Sequence, residues 1–305
     1  MTRFQANLLL TFVALIWGSA FVAQNKGMAD VGPLLFTGVR FLVGAAVVLP
    51  LAVLEWRRLG REGRPLVRLD GWHIAGLGGL MTLGAVMQQI GIQFTSVTNA
   101  GFLTALYVPL VPVLAWALLR QVAHGSVWPA AFGCLAGAFL LSGAHTLKIG
   151  LGDLWVIGSA IPWAVHVLMV GRWADRMAAP FLVACGQFAV CGLLSLLAAL
   201  ATEPIRWAGL ASATWPILYT GVLSVGVAFT GQVVAQRYAH AADAAIILSS
   251  ETLFAATFGY LLLGEQLDRS GWIGCGLMLA CILSVQLLPM VGTLRRRQIL
   301  TNPSN

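Results

Sequence analysis

Few side chains in this sequence can do chemistry, and their positions set the questions. Glu251 lies inside the apolar run 242–263. A carboxylate at that depth costs about 2.5–3.5 kcal/mol on insertion scales, so it must face a wet cavity or a partner. It is the strongest candidate for recognising a substrate amine or carrying a proton. The competing assignment is a structural pair with Arg40, or hydrogen bonds from Ser249 and Ser250. Tyr107 holds the corresponding place in an earlier run. Trp17 and Trp163 sit mid-run, although tryptophan prefers the headgroup belt. They read either as two aromatic walls across a cavity, packing apolar groups or a cation, or as ordinary helix packing.

Glutamines recur in a pattern. WHIAGLGGLMTLGAVMQQIGIQ (72–93) carries Gln88, Gln89 and Gln93, and WPILYTGVLSVGVAFTGQVVAQ (215–236) carries Gln232 and Gln236. Residues four apart share a helix face. Gln89 and Gln232 read as neutral donors and acceptors lining a pathway, or as interhelical hydrogen bonds worth about 1 kcal/mol each. Gln93 and Gln236 are placed nearer the interface. Asn99 and Asp243 open their runs, as N-caps first and as gate residues second. Arg40 lies about two turns into its run, close enough to the edge to snorkel, with carboxylate binding as the alternative. His166 follows Trp163 by one turn, as a proton sensor or a packing residue.

No phosphate-binding G-x-x-x-x-G-K-[ST], no H-E-x-x-H and no G-x-S-x-G occurs. The reading is therefore of a non-enzyme without cofactor or metal, driven by a gradient of substrate or ion. Cys134, Cys185, Cys191, Cys275 and Cys281 all lie in apolar runs without C-x-x-C spacing, and are expected to be small core residues.

The elements that position these groups follow from composition. Hydrophobic residues make up 59% and charged residues 10% of the chain, and mean hydropathy is +0.85; a soluble domain is about half apolar and a quarter charged. Apolar runs long enough to cross a bilayer lie near 6–25, 33–54, 72–93, 97–119, 127–146, 152–172, 180–201, 212–236, 242–263 and 271–291. The first is too long for a signal-peptide core, no A-x-A cleavage site follows it, and it is expected to stay in the protein. The charged loop EWRRLGREGRPLVRLDG (55–71) reads as a solvated linker.

Net charge is +7, but its placement argues against nucleic acid. With the N-terminus inside, Arg3, Arg57, Arg58, Arg61, Arg64, Arg68, Arg120, Arg172, Arg176, Arg237, Arg295, Arg296 and Arg297 fall on the inner side. Only Lys26, Lys148, Arg206 and Arg269 fall outside. This is the positive-inside bias. Both termini are predicted to be cytoplasmic, with a basic surface that favours anionic lipid.

The two glutamine-bearing stretches align at one offset: Trp72 with Trp215, Gly78 with Gly221, Leu80 with Leu223, Ala85 with Ala228, Gln89 with Gln232. An odd number of helices separates them, so the halves are predicted to be inverted copies, the arrangement used for alternating access around a midplane site. The expected organisation is a first repeat over 1–146, a second over 147–292 and a basic cytoplasmic tail over 293–305. Gly133 and Gly137 permit close helix contact, within the protomer or at a dimer seam; a monomer or weak homodimer is expected.

Several stretches carry a resemblance. TLFAATFGYLLLGEQLDRSGWIGCGLMLACILS (252–284), ALIWGSAFVAQNKG (14–27), GPLLFTGVRFLVGA (32–45) and NAGFLTALYVPLVPVLAWALL (99–119) resemble the EamA-type drug/metabolite transporters. The resemblance spans essentially the whole chain and implies an all-α membrane protein of ten transmembrane helices in two inverted five-helix repeats. One departure is LLRQ (118–121), where the second half has LLGEQ (262–266). Family members export amino acids, metabolites and cationic drugs, and bacterial amino-acid exporters are the most similar in character.

The functional expectation is a secondary transporter in a bacterial inner membrane, exporting small amphipathic metabolites, amino acids foremost, through a cavity lined by Trp17, Gln89, Tyr107, Trp163, Gln232 and Glu251. The alternatives are export of cationic drugs or nucleotide-type metabolites and, from another class, an intramembrane enzyme or a ligand sensor. An enzyme needs paired acids or a metal cluster at depth, and a sensor usually adds an output domain.

Overall fold

The chain folds as a bundle of apolar helices, because a segment in hydrocarbon must satisfy its backbone groups internally. The structure is a computed structural model that describes residues 1–29, 31–142, 149–264 and 266–301, with side chains up to Val285. Lys148, Arg295, Arg296, Arg297, the boundary at 146–147 and the side chains of the tail 293–305 lie outside the described residues.

In chain order the helices are α1 (Arg3–Gly27), α2 (Pro33–Arg61), α3 (Arg68–Ile92), α4 (Val97–Thr104), α5 (Tyr107–Leu119), α6 (Val127–Leu141), α7 (Leu151–Met177), α8 (Pro180–Thr202), α9 (Trp207–Ser212) and α10 (Thr214–Tyr219). A π-helical stretch (Thr220–Phe229) follows, then α11 (Thr230–Ala235), α12 (Ala241–Leu248), α13 (Ser250–Leu263) and α14 (Arg269–Thr301). Proline at the first helical position opens α2 and α8, where its missing N–H has no helical acceptor in any case. Among the described residues eight helical segments are long and apolar enough to cross a membrane; Val127–Leu141 and Arg269–Val285 are apolar but shorter.

The LLRQ departure proves conformationally silent. Arg120 ends α5 at φ 57°, and Gly264 ends α13 at φ 70°. Both sites use a left-handed C-cap, and the arginine adopts it without glycine's freedom.

The tight packings join the two halves of the sequence: α2 lies on α8, α3 on α7 and α8, α1 on α13, and α6 on α14. Glycines set how closely these helices approach. A Cβ on Gly18 would meet the Cβ of Phe254 and come within 2.7 Å of the backbone nitrogen of Ala255. Gly18→Ala is expected to push α1 off α13 and to cost about 1–3 kcal/mol, the range for overpacking. A melting temperature in detergent equal to that of the unchanged protein would refute this. Gly137 meets Met278 and the carbonyl of Gly274, and Gly133 meets Cys281, so this glycine pair serves packing within the protomer. The five cysteines are free, with Cys134, Cys185 and Cys191 buried.

The repeated stretches divide their labour by face. Trp72 and Trp215 point outward, 65% and 73% exposed, whereas Gln88, Gln89, Gln232 and Gln236 are buried. Outward tryptophans at helix ends match the aromatic belt of a bilayer interface. Gln236 is packed inside the protein at the end of its run, and Gln93 is exposed.

Candidate functional site

One cavity lies where α1, α2, α3, α7, the π-helical stretch and α11 converge on two interrupted helices. The run 97–119 breaks at Ala105 and Leu106, and the run 241–263 breaks at Ser249. Tyr107 is the first residue after the first break, and Glu251 the second after the other. Helix interruptions of this kind put polar backbone and side chains at depth only where a cavity receives them. The cavity's volume is about 50 Å³. That is room for a few waters or part of a small organic molecule.

Glu251 lines this cavity and is 5% exposed. Among the described residues no hydrogen bond or ion pair reaches its carboxylate. Ser249 and Ser250 do not supply one, since their hydroxyls donate to the carbonyls of Ile246 (2.7 Å) and Ile247 (2.6 Å), the back-bonding common to serine in helices. Arg40 lines the same cavity, 3% exposed. It does not snorkel, and this corrects the interfacial assignment. Its guanidinium carbon stands 5.1 Å from the Phe41 ring centroid and 5.7 Å from that of Phe36, its Nε has no hydrogen-bond partner, and no carboxylate pairs with it among the described residues. The cavity thus holds a guanidinium and a carboxyl group, neither with a charged partner among the described residues.

The aromatic walls are present, with a third ring between them. Trp17 and Trp163 both line the cavity, and Phe229 sits 4.5 Å from Trp17 and 5.7 Å from Trp163, nearly parallel to the latter at 16°. Trp17 donates its Nε1–H to the carbonyl of Ser224 at 3.2 Å. The Nε1–H of Trp163 is buried without an acceptor. Gln232 lines the cavity too, with its Oε1 unpartnered, as is the Oε1 of Gln24 on α1. A buried polar atom left unmatched costs roughly 1–3 kcal/mol. Several orphans around one space, of both donor and acceptor type, describe a site waiting for a molecule that carries both.

Other expected residues lie elsewhere. Gln89 is off the lining and donates to Met28 Sδ at 2.8 Å. Its neighbour Gln88 lines the cavity instead, donating to Thr104 Oγ1 at 2.8 Å. His166 also lies off the lining, paired with Gln187 Oε1 at 2.9 Å. Asn99 and Asp243 are not N-caps: Ser96 and His240 hold those places. Asn99 donates from Nδ2 to Thr95 (2.7 Å) and to Asp153 Oδ1 (2.8 Å), tying α4 to the start of α7. Asp243 forms an ion pair with Arg3, tying α12 to the start of α1. Phe229, Gln24, Gln88, Thr104, Ser224, Phe21 and Val167 were missed as lining residues. For Gln24 a signal existed, since Trp17, Phe21 and Gln24 follow i, i+4, i+7 on one helical face.

A helical membrane protein enclosing one polar, aromatic-walled cavity is the class these features define. Residues 5–143 and 150–286 match the EamA-like transporter family, and the chain belongs to that family. It is 29% identical over 289 residues to an uncharacterized transporter of Archaeoglobus fulgidus, covering 93% of this chain and 87% of that one. It is 25% identical over 295 residues to an S-adenosylmethionine/S-adenosylhomocysteine transporter of Chlamydia trachomatis, covering 90% and 86%. A solved crystal structure shares the fold at a TM-score of 0.77 and 20% identity, covering 94% of this chain and 99% of that one. The protein is therefore a multi-pass membrane transporter of a small molecule.

Proposed function

We propose that this transporter exports small zwitterionic, amphipathic metabolites, amino acids foremost, across a bacterial cytoplasmic membrane by alternating access. The observation that carries the reading is that Arg40 and Glu251, neither with an ion-pair partner among the described residues, line one cavity walled by Trp17, Trp163 and Phe229. An amino acid presents a carboxylate for the guanidinium, an ammonium for the carboxylate and a side chain for the rings. Such charge-assisted bonds are worth more in a dry site than in water.

The working unit is ten helices in two inverted repeats, 1–146 and 147–292, with both termini cytoplasmic. The two ties support this reading: Arg3 to Asp243 joins the start of α1 to the start of α12, and Asn99 to Asp153 joins the start of α4 to the start of α7. Asn99 and Asp243 then act as gate residues, one at each membrane face. The adenosyl compounds named for the chlamydial relative also carry an amino-acid group, so the same charges suit them. The nearly parallel rings of Trp163 and Phe229 and the narrow free space favour a smaller substrate.

Counterflow in proteoliposomes loaded with unlabelled leucine or phenylalanine tests the proposal. Labelled amino acid should accumulate, and cationic dyes should not compete. Exchange of dye or of S-adenosylmethionine without any amino-acid exchange would overturn it. In the same assay Trp163→Ala should slow phenylalanine about tenfold, the effect of losing roughly 1.4 kcal/mol of contact, and slow alanine much less. Equal slowing of both, with a lowered melting temperature, would make Trp163 a packing residue.

A further inference from the structure

A second hollow, about 140 Å³ in volume, opens between the ends of α5, α7 and α11 and the start of α12. It lies on the membrane face that carries the N-terminus, since α12 is tied there to Arg3. Its polar side chains are Gln121, Arg172, Gln236 and His240. Val167 is common to this hollow and to the central cavity.

The residues between the two spaces form matched stripes. On α7, Trp163 lines the central cavity, Val167 lines both spaces and Gly171 lines the outer hollow, at i, i+4 and i+8 on one helix face. On the facing strip Gln232 lines the central cavity and Gln236, one turn on, lines the hollow. The seam between them is tight. Gln236 Nε2 donates to the carbonyl of Val167 at 2.8 Å, and a Cβ on Gly171 would stand 2.6 Å from the carbonyl oxygen of Gln236. Arg237, just after α11, and Asp175 of α7 pair at 3.6 Å. The Oε1 of Gln236 is buried without a donor, and the exposed Arg172 lines the same hollow.

We infer that this hollow is the vestibule from which substrate reaches the central cavity, and that Val167, clamped by Gln236, is the barrier between the two. The ligand class is a small zwitterion, met by the guanidinium of Arg172 and the free amide oxygen of Gln236. The inference rests on the transport reading above. The barrier is a pair of buried methyl groups and one hydrogen bond, so it opens by separating α11 from α7.

Thiol accessibility tests the barrier without reference to any substrate. Gln232→Cys places a reporter beyond Val167, and His240→Cys places one in the vestibule; the native chain, with Cys134, Cys185 and Cys191 buried and Cys275 and Cys281 half-buried, gives the background rate. In sealed vesicles an impermeant thiol reagent on the N-terminal side should label His240→Cys promptly and Gln232→Cys slowly. Adding Val167→Ala should speed labelling at position 232 about tenfold, the rate factor of a barrier lowered by roughly 1.4 kcal/mol, and leave position 240 unchanged. Val167→Phe should slow it; where that variant does not fold, Val167→Ile serves. Labelling at position 232 indifferent to residue 167 would overturn the inference. Amino-acid counterflow in vesicles of the protein with native residues at 167, 232 and 240 separates the two ideas. Gated labelling without amino-acid exchange leaves the barrier standing and removes the substrate assignment. Exchange with ungated labelling does the reverse.

Discussion

Glu251→Gln should lower amino-acid transport about a hundredfold and at the same time raise the melting temperature. The glutamine keeps the shape and one acceptor of the carboxylate but loses the charge that meets an ammonium group. A hydrogen bond between charged partners contributes roughly 1.5–3 kcal/mol, and a hundredfold is about 2.7 kcal/mol. The stability change has the opposite sign because the carboxylate is buried without a partner among the described residues. Its desolvation is not offset until substrate arrives. Gains of stability at the expense of function are typical of strained or unsatisfied sites. Substrates that lack the amine, such as 2-hydroxy acids, should be affected far less. A variant that moves all substrates at the original rate, with the same response to a proton gradient, would make Glu251 structural; loss of the gradient response alone would make it a proton carrier.

Arg40→Met should be as damaging, with the complementary selectivity. Leucine and phenylalanine should fall about a hundredfold, since the guanidinium is the one cation on the cavity lining and bidentate bonds to a carboxylate are among the strong ones. Amines without a carboxylate should be spared. Arg40→Lys keeps the charge but not the planar fork, and lysine is more strongly hydrated, so it should recover only about a tenth of the rate, a residual defect near 1.4 kcal/mol. The stability readout separates site from scaffold. If the stacking of Arg40 on Phe36 and Phe41 were its purpose, both variants would melt earlier and all substrates would suffer equally. Measuring the melting temperature beside leucine and amine transport decides between the two.

How far the site could be read ahead of the fold depends on how each residue announces itself. Trp17, Trp163, Tyr107, Gln232 and Glu251 are conspicuous because their types are costly or unusual at mid-run depth, which is a local property. All five line the cavity. Gln89 and Gln88 are adjacent, and depth cannot choose between them. The choice is the rotation of α3 about its axis, set where Gly78 meets Val190 of α8 and Gly91 meets Gly152 and Val156 of α7. Arg40 has the same origin. Its distance from the run's edge permits snorkelling, but α2 packs so closely on α8 that a Cβ on Gly38 would stand 2.9 Å from the backbone nitrogen of Leu196, and that close packing turns the arginine inward. Phe229 was hidden because it ends a π-helical stretch, whose wider turn breaks the 3.6-residue periodicity on which face assignments rest.

The sequence by itself therefore determined the class of molecule: apolar runs of spanning length, the basic bias of the loops and the repeated glutamine stretches are additive, local quantities that survive any arrangement of the helices. It also determined which residue types had to be solvated at depth, because the cost of burying a charge does not depend on the neighbour that eventually relieves it. Only the tertiary structure decided that Arg40 and Glu251 line one cavity without an ion-pair partner among the described residues, that Asn99 and Asp243 tie α4 to α7 and α12 to α1, and that Val167 lines both the cavity and the outer hollow. These are relations between helices far apart in sequence. They arise from how glycine-lined faces mesh, because that mesh sets the rotation of each helix about its axis.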